Sequence, residues 1–250
     1  GPGTGVQWNE GIVNWVAAFD YHVGKWPELT MKTEQSMLVD AQGRLRSGVF
    51  EGPVDCVNYM DYDLRTSMDR RRSRLARQWR FNQFQFVSAM ADNWLFGLAI
   101  VDLKLVSTGF FYLYDFGAGE MLETSFTQPL ALGTEIEPYP ETGTARFRCR
   151  AAELRITPGP AGRRVSVRTP KGVDVSLSLE DDHAPLRLAC PAGYNGWVFT
   201  RKSAGLPVSG TIRWGNREWA CDDNTRGTID WSCGYMRRET AWNWACLAGR

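Results

Sequence analysis

The sequence predicts an all-β protein, antiparallel and two-lobed, built as a barrel or sandwich and preceded by one short helix. Three observations carry that expectation. Short apolar runs recur between Gly, Pro, Asn and Asp turn signals, the spacing of a meander and not of alternating β-α units. Val173, Val175, Leu177 and Leu179 alternate with Asp174, Ser176 and Ser178, a clear period of two. A chain of 250 residues with 43% hydrophobic and 23% charged side chains can enclose a core, which excludes an intrinsically disordered protein.

Residues 1–36 read apart from the rest. Gly1 to Gly5 resemble a cleavage scar; Trp8, Ile12, Trp15, Val16 and Phe19 then fall near helical spacing until Pro27 ends the pattern. This predicts a short amphipathic helix packed on the main domain, without the basic polar face that lipid-surface helices carry. A turn at Asp40-Ala41-Gln42-Gly43 opens the first β lobe, residues 37–190. The basic run Arg70-Arg71-Arg72-Ser73-Arg74, with Arg77 and Arg80, reads as a solvated approach to the first strand. Strands follow at Phe81 to Met90 and Trp94 to Val101, parted by Asp92-Asn93, and at Phe110 to Phe116 and Glu120 to Gln128, parted by Gly117-Ala118-Gly119. Arg146 to Arg150 and Val165 to Arg168 alternate as strands, and Pro170-Lys171-Gly172 turns the chain into the run at Val173. The alternation lapses between Pro185 and Tyr194, which places a lobe boundary there and a second lobe over 191–250. In that lobe Val208 to Trp214 and Arg217 to Cys221 flank a Gly215-Asn216 hairpin loop. Trp242 to Leu247 reads as a strand three residues from the end; a sheet rarely finishes on a bare apolar edge, so the natural chain is expected to continue.

Composition removes several function classes. A net charge of +1 gives no field to gather nucleic acid, and the aromatics that single-strand binding needs begin only at Trp79, after the basic run. Two histidines, His22 and His183, leave no His-rich metal site, and no cofactor is expected. There is no Gly-x-Ser-x-Gly elbow, no Gly-x-Gly-x-x-Gly and no Gly-Lys-Ser/Thr, so hydrolase, dehydrogenase and kinase readings lose their usual support. Asp181-Asp182-His183 and Asp222-Asp223-Asn224 read as polar turns. No apolar run is long enough for a transmembrane helix. The six cysteines include no Cys-x-x-Cys pair and are read as reduced, mostly buried thiols of a cytoplasmic protein.

The most informative stretch runs from Gly227 to Trp244. Asp230 sits among Trp231, Tyr235, Trp242 and Trp244, with Arg237 and Arg238 between them. Trp242 and Trp244 are two apart, so on a strand they share a face. Lining a cavity, they make an aromatic wall for an apolar ligand, and a desolvated Asp230 beside it suits proton donation. The alternative is an ion pair from Asp230 to Arg237 or Arg238 that closes a structural corner, with the tryptophans as core.

The pattern Gly227-x-x-Asp230-Trp231-x-x-Gly234, then Arg238, Trp242-Asn243-Trp244-Ala245 and Gly249, resembles the signature of a bacterial domain-of-unknown-function family. Leu38-x-Asp40-x-x-Gly43-Arg44-Leu45 and Phe199-Thr200-x-Lys202 with Gly210-Thr211-Ile212 add to the resemblance, which runs from about Leu38 to Gly249. That family is distantly similar to the double-lipocalin group of carotenoid 1,2-hydratases, cyclase-like proteins and survival-factor proteins tied to ceramide handling. The resemblance implies two lipocalin-like lobes around an apolar cavity. The histidines that flank the acid in the hydratase pattern are missing, with Trp231 following Asp230, which counts against hydration chemistry. The expected function is therefore binding of an apolar, lipid- or isoprenoid-like small molecule, with Trp231, Tyr235, Trp242 and Trp244 on the ligand, Arg237 or Arg238 as partner or clamp, and peripheral membrane contact left open. A cofactor-free hydratase or cyclase using Asp230 as general acid, and an interaction module docking through residues 6–36, stand as alternatives.

Overall fold

The computed structural model describes residues 37–236. The expected helix within 6–36, the strand from Trp242 to Leu247, and Arg237, Arg238, Trp242 and Trp244 lie outside the described residues.

The fold is all-β and antiparallel. After a short strand β1 (Gly48–Val49) and a helix α1 (Arg74–Arg80) come β2 (Asn82–Met90), β3 (Trp94–Asp102), β4 (Val106–Asp115), β5 (Glu120–Pro129) and β6 (Thr134–Ile136). Then follow β7 (Ala145–Cys149), β8 (Ala152–Pro158), β9 (Gly162–Arg168), β10 (Val173–Glu180), β11 (Leu186–Ala192), β12 (Gly196–Trp214), β13 (Arg217–Ala220) and β14 (Arg226–Gly234). The spatial order is β5-β4-β3-β2-β14-β12-β10-β9-β8-β7-β6, with β11 and β13 on β12 and β1 on β11. Strands early and late in the chain thus lie side by side: β14 pairs with β2 along its whole length, from Arg226 opposite Met90 to Gly234 opposite Asn82.

The predicted turns form where expected. Ala91 N bonds Trp94 O across Asp92-Asn93, Asp115 Oδ1 caps the backbone of Gly117 and Ala118, and Gly215 takes φ +61° in the two-residue loop between Trp214 and Arg217. Several elements escape the sequence pattern, among them β1, β6 and β8. Arg74–Arg80 is helical, with the Ser73 hydroxyl accepting from Ala76 N at its start. The stretch where alternation lapses holds β11, and β12 is one 19-residue strand running through a register shift between Ala204 and Leu206.

One face of the sheet carries both cores. The larger joins Phe96, Leu98 and Phe111 with Phe147, Leu154, Val165, Val175 and Leu206, so the β2–β4 and β7–β10 halves curl toward each other. Gly109 permits the approach: a Cβ there would stand 2.6 Å from Leu154 Cδ1 and 2.7 Å from Phe147 Cγ. At the closing edge, Gln83 donates to Ile136 O and Ser107 Oγ lies 2.7 Å from Thr134 Oγ1. The smaller core packs Trp197, Phe199, Trp231, Cys233 and Tyr235 under the segment that contributes Leu38, Val39, Phe50, Val54 and Leu64. Tyr59 stacks on Phe81 with 3.7 Å between ring centroids, and the Tyr235 hydroxyl donates to Tyr59 O at 3.0 Å.

Candidate functional site

Alternation assigns every side chain of β2, β3, β4, β12 and β14 to the core face or the opposite face. On the opposite face, pairing runs across the strands from Lys202 to Asp230 to Phe86 to Ala99 to Phe110, and one row on from Thr200 to Ser232 to Phe84 to Val101 to Thr108. On the other side of the Asp230–Phe86 row, Ser88, Gly97 and Tyr112 stand side by side, and beyond them lie Leu95 and Tyr114. None of these residues belongs to either core cluster.

This face is aromatic where a solvated sheet face would be polar. Phe84 and Phe86 stack, with centroids 6.4 Å apart and planes 5° apart. Tyr112 lies across Gly97, whose missing side chain makes the room: a Cβ there would be 2.3 Å from Tyr112 Cζ. Burial pushes the Tyr112 phenol pKa up, so the hydroxyl stays protonated. The same face of the same sheet is different over β8, β9 and β10. There an open groove of about 350 Å³ is lined by Arg155, Thr157, Arg164, Ser166, Ser176 and Ser178, the hydroxyl and guanidinium surface that water favours.

In β2 the usual polarity is reversed. Gln83 and Gln85 point toward the core face and are 3% and 0% exposed, while Phe84 and Phe86 take the other face half-buried. Both polar atoms of the Gln85 amide are buried without a hydrogen-bond partner. Burying an orphaned amide costs about 1–3 kcal/mol, so hydrophobic sorting alone does not explain this strand.

The polar centre of the aromatic face is Asp230. The residue is 6% exposed, and its carboxylate pairs with the ammonium of Lys202, a residue 7% exposed. Ser232 Oγ donates to Asp230 Oδ1 at 2.8 Å, Thr200 Oγ1 reaches the same oxygen at 3.4 Å, and the two hydroxyls are 2.8 Å apart. One row away, Ser88 and Thr228 share a 2.6 Å hydroxyl contact. The group is a neutral, desolvated ion pair ringed by hydroxyls at the border of an aromatic wall.

The sequence-predicted residues divide. Asp230 is buried, and Lys202, 28 residues away, occupies the partner place expected for an arginine. Trp231 and Tyr235 lie on the core face, across the sheet from Asp230. Trp231 meets Phe199 edge-on at 6.0 Å, and Tyr235 packs among Tyr59, Tyr62, Phe81 and Trp197. Sequence reasoning missed Lys202, Thr200, Ser232, Phe84 and Phe86 as neighbours of the acid, because only strand register brings them together. The one signal was Phe199-Thr200-x-Lys202, present in the sequence without its charge pairing.

A second buried charge cluster marks the junction of the two cores. Glu141 accepts from Arg187 Nε at 2.5 Å and from Arg201 Nε at 2.8 Å. Asp181 takes the other end of Arg201 and the Ser203 hydroxyl, while exposed Asp182 and His183 stay in the turn. Arg163 donates to the carbonyls of Gly143, Pro140 and Glu141, and burial with the nearby Arg201 charge pulls its pKa down to about 10. Arg163, Arg187 and Arg201 each donate to a carboxylate or carbonyl of the loop 137–144, so the cluster clamps that loop. Among the described residues no group of His, Cys, Asp and Glu is placed to hold a metal ion, and no helix is long and apolar enough to cross a membrane.

Comparison with known proteins returns one family and one solved structure. A family model described as "Domain of unknown function (DUF2804)" matches residues 17–250. No protein of curated function matches the chain. A crystal structure of a candidate AttH from Nitrosomonas europaea aligns at 10% identity with a TM-score of 0.39, over 61% of this chain and 50% of that one. The alignment thus spans about half the length of that protein.

Proposed function

The chain belongs to the DUF2804 family of domains of unknown function, and from that premise we propose that it binds a neutral, apolar small molecule of lipid or isoprenoid type on the aromatic face of β2, β3, β4, β12 and β14. The supporting observation is the reversal of polarity in β2, which puts stacked Phe84 and Phe86 on the face away from both cores and orphaned Gln85 inside. An apolar ligand offsets the cost of that arrangement by covering the aromatic side. Phe84, Phe86, Val101, Phe110 and Tyr112 supply the wall; Thr200, Ser232 and the Lys202–Asp230 pair supply the polar end.

Because the pair is neutral overall, the ligand needs no formal charge. A hydroxyl or carbonyl matches the donors and acceptors at the border. A lipocalin-like use of the curled sheet belongs with this reading, as does the reducing compartment suggested by the free thiols of Cys56, Cys149, Cys190, Cys221 and Cys233. General acid catalysis by Asp230 is the less favoured reading, since its carboxylate is held in an ion pair with Lys202.

The test is organic extraction of the purified protein with mass spectrometry, together with thermal shift against a panel of fatty alcohols, isoprenoid alcohols and sterols. Ligand recovery or a saturable rise in Tm that is lost in Phe84→Ser supports the proposal. No extract and no shift across the panel counts against it.

A further inference from the structure

Three connections meet at one end of the sheet. Leu103-Lys104-Leu105 links β3 to β4, Leu130-Ala131-Leu132-Gly133 links β5 to β6, and Arg150-Ala151 links β7 to β8. They are fastened together: Leu130 N donates to Leu105 O at 2.8 Å, and Arg148 N donates to Gly133 O at 2.8 Å. On this end Leu103 is 47% exposed, Leu105 64%, Val106 40%, Leu130 58% and Leu132 58%. Scattered exposed apolar residues are ordinary, but five contiguous ones at loop tips are not.

The backbone of the tip is strained in a telling way. Leu132 N bonds Pro129 O at 3.1 Å, with Leu130 at φ +53° and Ala131 at φ +51° between them. Such a turn favours Asn-Gly, which tolerates positive φ at both central positions. Here the same geometry is made by Leu-Ala and holds a leucine outward. Charge completes the picture. Lys104 is neutralised by Asp102, whereas exposed Arg148 and Arg150 make no ion pair among the described residues. Of the nearby acids, Glu135 sits opposite Arg146 on the neighbouring strand, and Glu153, opposite Arg148, is held by Arg146 and Arg155.

We infer that this loop end docks on an anionic lipid bilayer, with Leu105, Leu130 and Leu132 entering the interface and Arg148 and Arg150 meeting lipid phosphates. A bilayer accepts apolar tips from three separate loops without a matching groove, and it rewards unpaired arginines beside them. Docking of this kind goes beyond ligand binding on the aromatic face and does not depend on it.

The experiment is co-sedimentation of the full chain with phosphatidylcholine vesicles, with and without phosphatidylglycerol. Wild type is expected to bind the phosphatidylglycerol vesicles, with affinity falling as salt rises. Leu105→Ser and Leu132→Ser should each weaken binding about tenfold, and Arg148→Gln and Arg150→Gln about fivefold each. The pair Leu130→Asn with Ala131→Gly separates folding from docking, because it relieves the turn and should raise Tm while weakening binding. Absence of vesicle binding by wild type overturns the inference, as does binding that all these variants retain. A wild-type dimer that Leu105→Ser dissociates would also overturn it, by assigning the tip to a second copy of the chain.

Discussion

Replacing Lys202 by Met tests whether Asp230 sits in a desolvated site. The two side chains are 8% and 9% exposed, so neither charge is well hydrated in the folded protein. Lys202→Met keeps most of the apolar stem and removes the ammonium, leaving Asp230 with only the Ser232 and Thr200 hydroxyls. Stranding one member of a buried pair costs about 3–5 kcal/mol, and the two remaining hydroxyl donors place this case near the lower end. Against a total stability on the order of 5–15 kcal/mol, the variant folds but with much of its margin gone. The double variant Lys202→Met/Asp230→Leu has no buried charge and should return to within about 1 kcal/mol of wild type. Urea unfolding followed by circular dichroism reads both, provided the m values agree. A loss below about 1 kcal/mol for Lys202→Met, the range of an exposed pair, would refute the desolvated site. So would a double variant no more stable than the single one.

Three further outcomes follow from the same geometry. Gln85→Met should raise stability by about 1–2 kcal/mol, since it removes a buried amide with no partner; a loss in the unfolding midpoint would mean that the amide has one. Burial alone would raise the pKa of the Glu141 carboxyl, but hydrogen bonds and charge from Arg187 and Arg201 outweigh it and hold the group below the ordinary carboxylate range. The folded pKa lies below the unfolded one, so this stabilisation is complete above about pH 4.3 and is lost as pH falls through the folded value. Unfolding curves should therefore weaken in acid, and Glu141→Gln should flatten that dependence while lowering stability at neutral pH. Gly97→Ala should displace the Tyr112 ring, which stands 2.3 Å from the added carbon; intrinsic tyrosine fluorescence and ligand affinity should both change, and unchanged affinity would remove Tyr112 from the wall.

Much of the sheet was legible because its code is local. The strict alternation of Val173 to Leu179 and the Gly215-Asn216 loop need only neighbouring residues, and both elements form where the pattern puts them. β11 was opaque because it runs Leu-Arg-Leu-Ala-Cys-Pro-Ala, with Arg187 buried by a salt bridge to Glu141 46 positions away. β12 was read only in its second half, since its first half carries Arg201, Lys202 and Ser203, whose burial depends on Asp181, Glu141 and Asp230. The acid at the site could be singled out as Asp230, but its cation could not. Lys202 reaches it through the register that follows the shift at Ala204, a long-range outcome no spacing rule contains. The face assignment of β2 failed to show for a related reason: period two is visible in Gln83-Phe84-Gln85-Phe86, yet polarity would send the phenylalanines to the core.

The most direct test of the ligand face is equilibrium titration of a neutral fluorescent polyene alcohol into wild type and into Phe84→Ser/Phe86→Ser, with Tm measured on both. The account predicts saturable binding to wild type, and loss of about tenfold or more in affinity in the variant with Tm little changed, because neither ring belongs to a core cluster. Equal affinity in the two proteins, or a variant that unfolds, would contradict it.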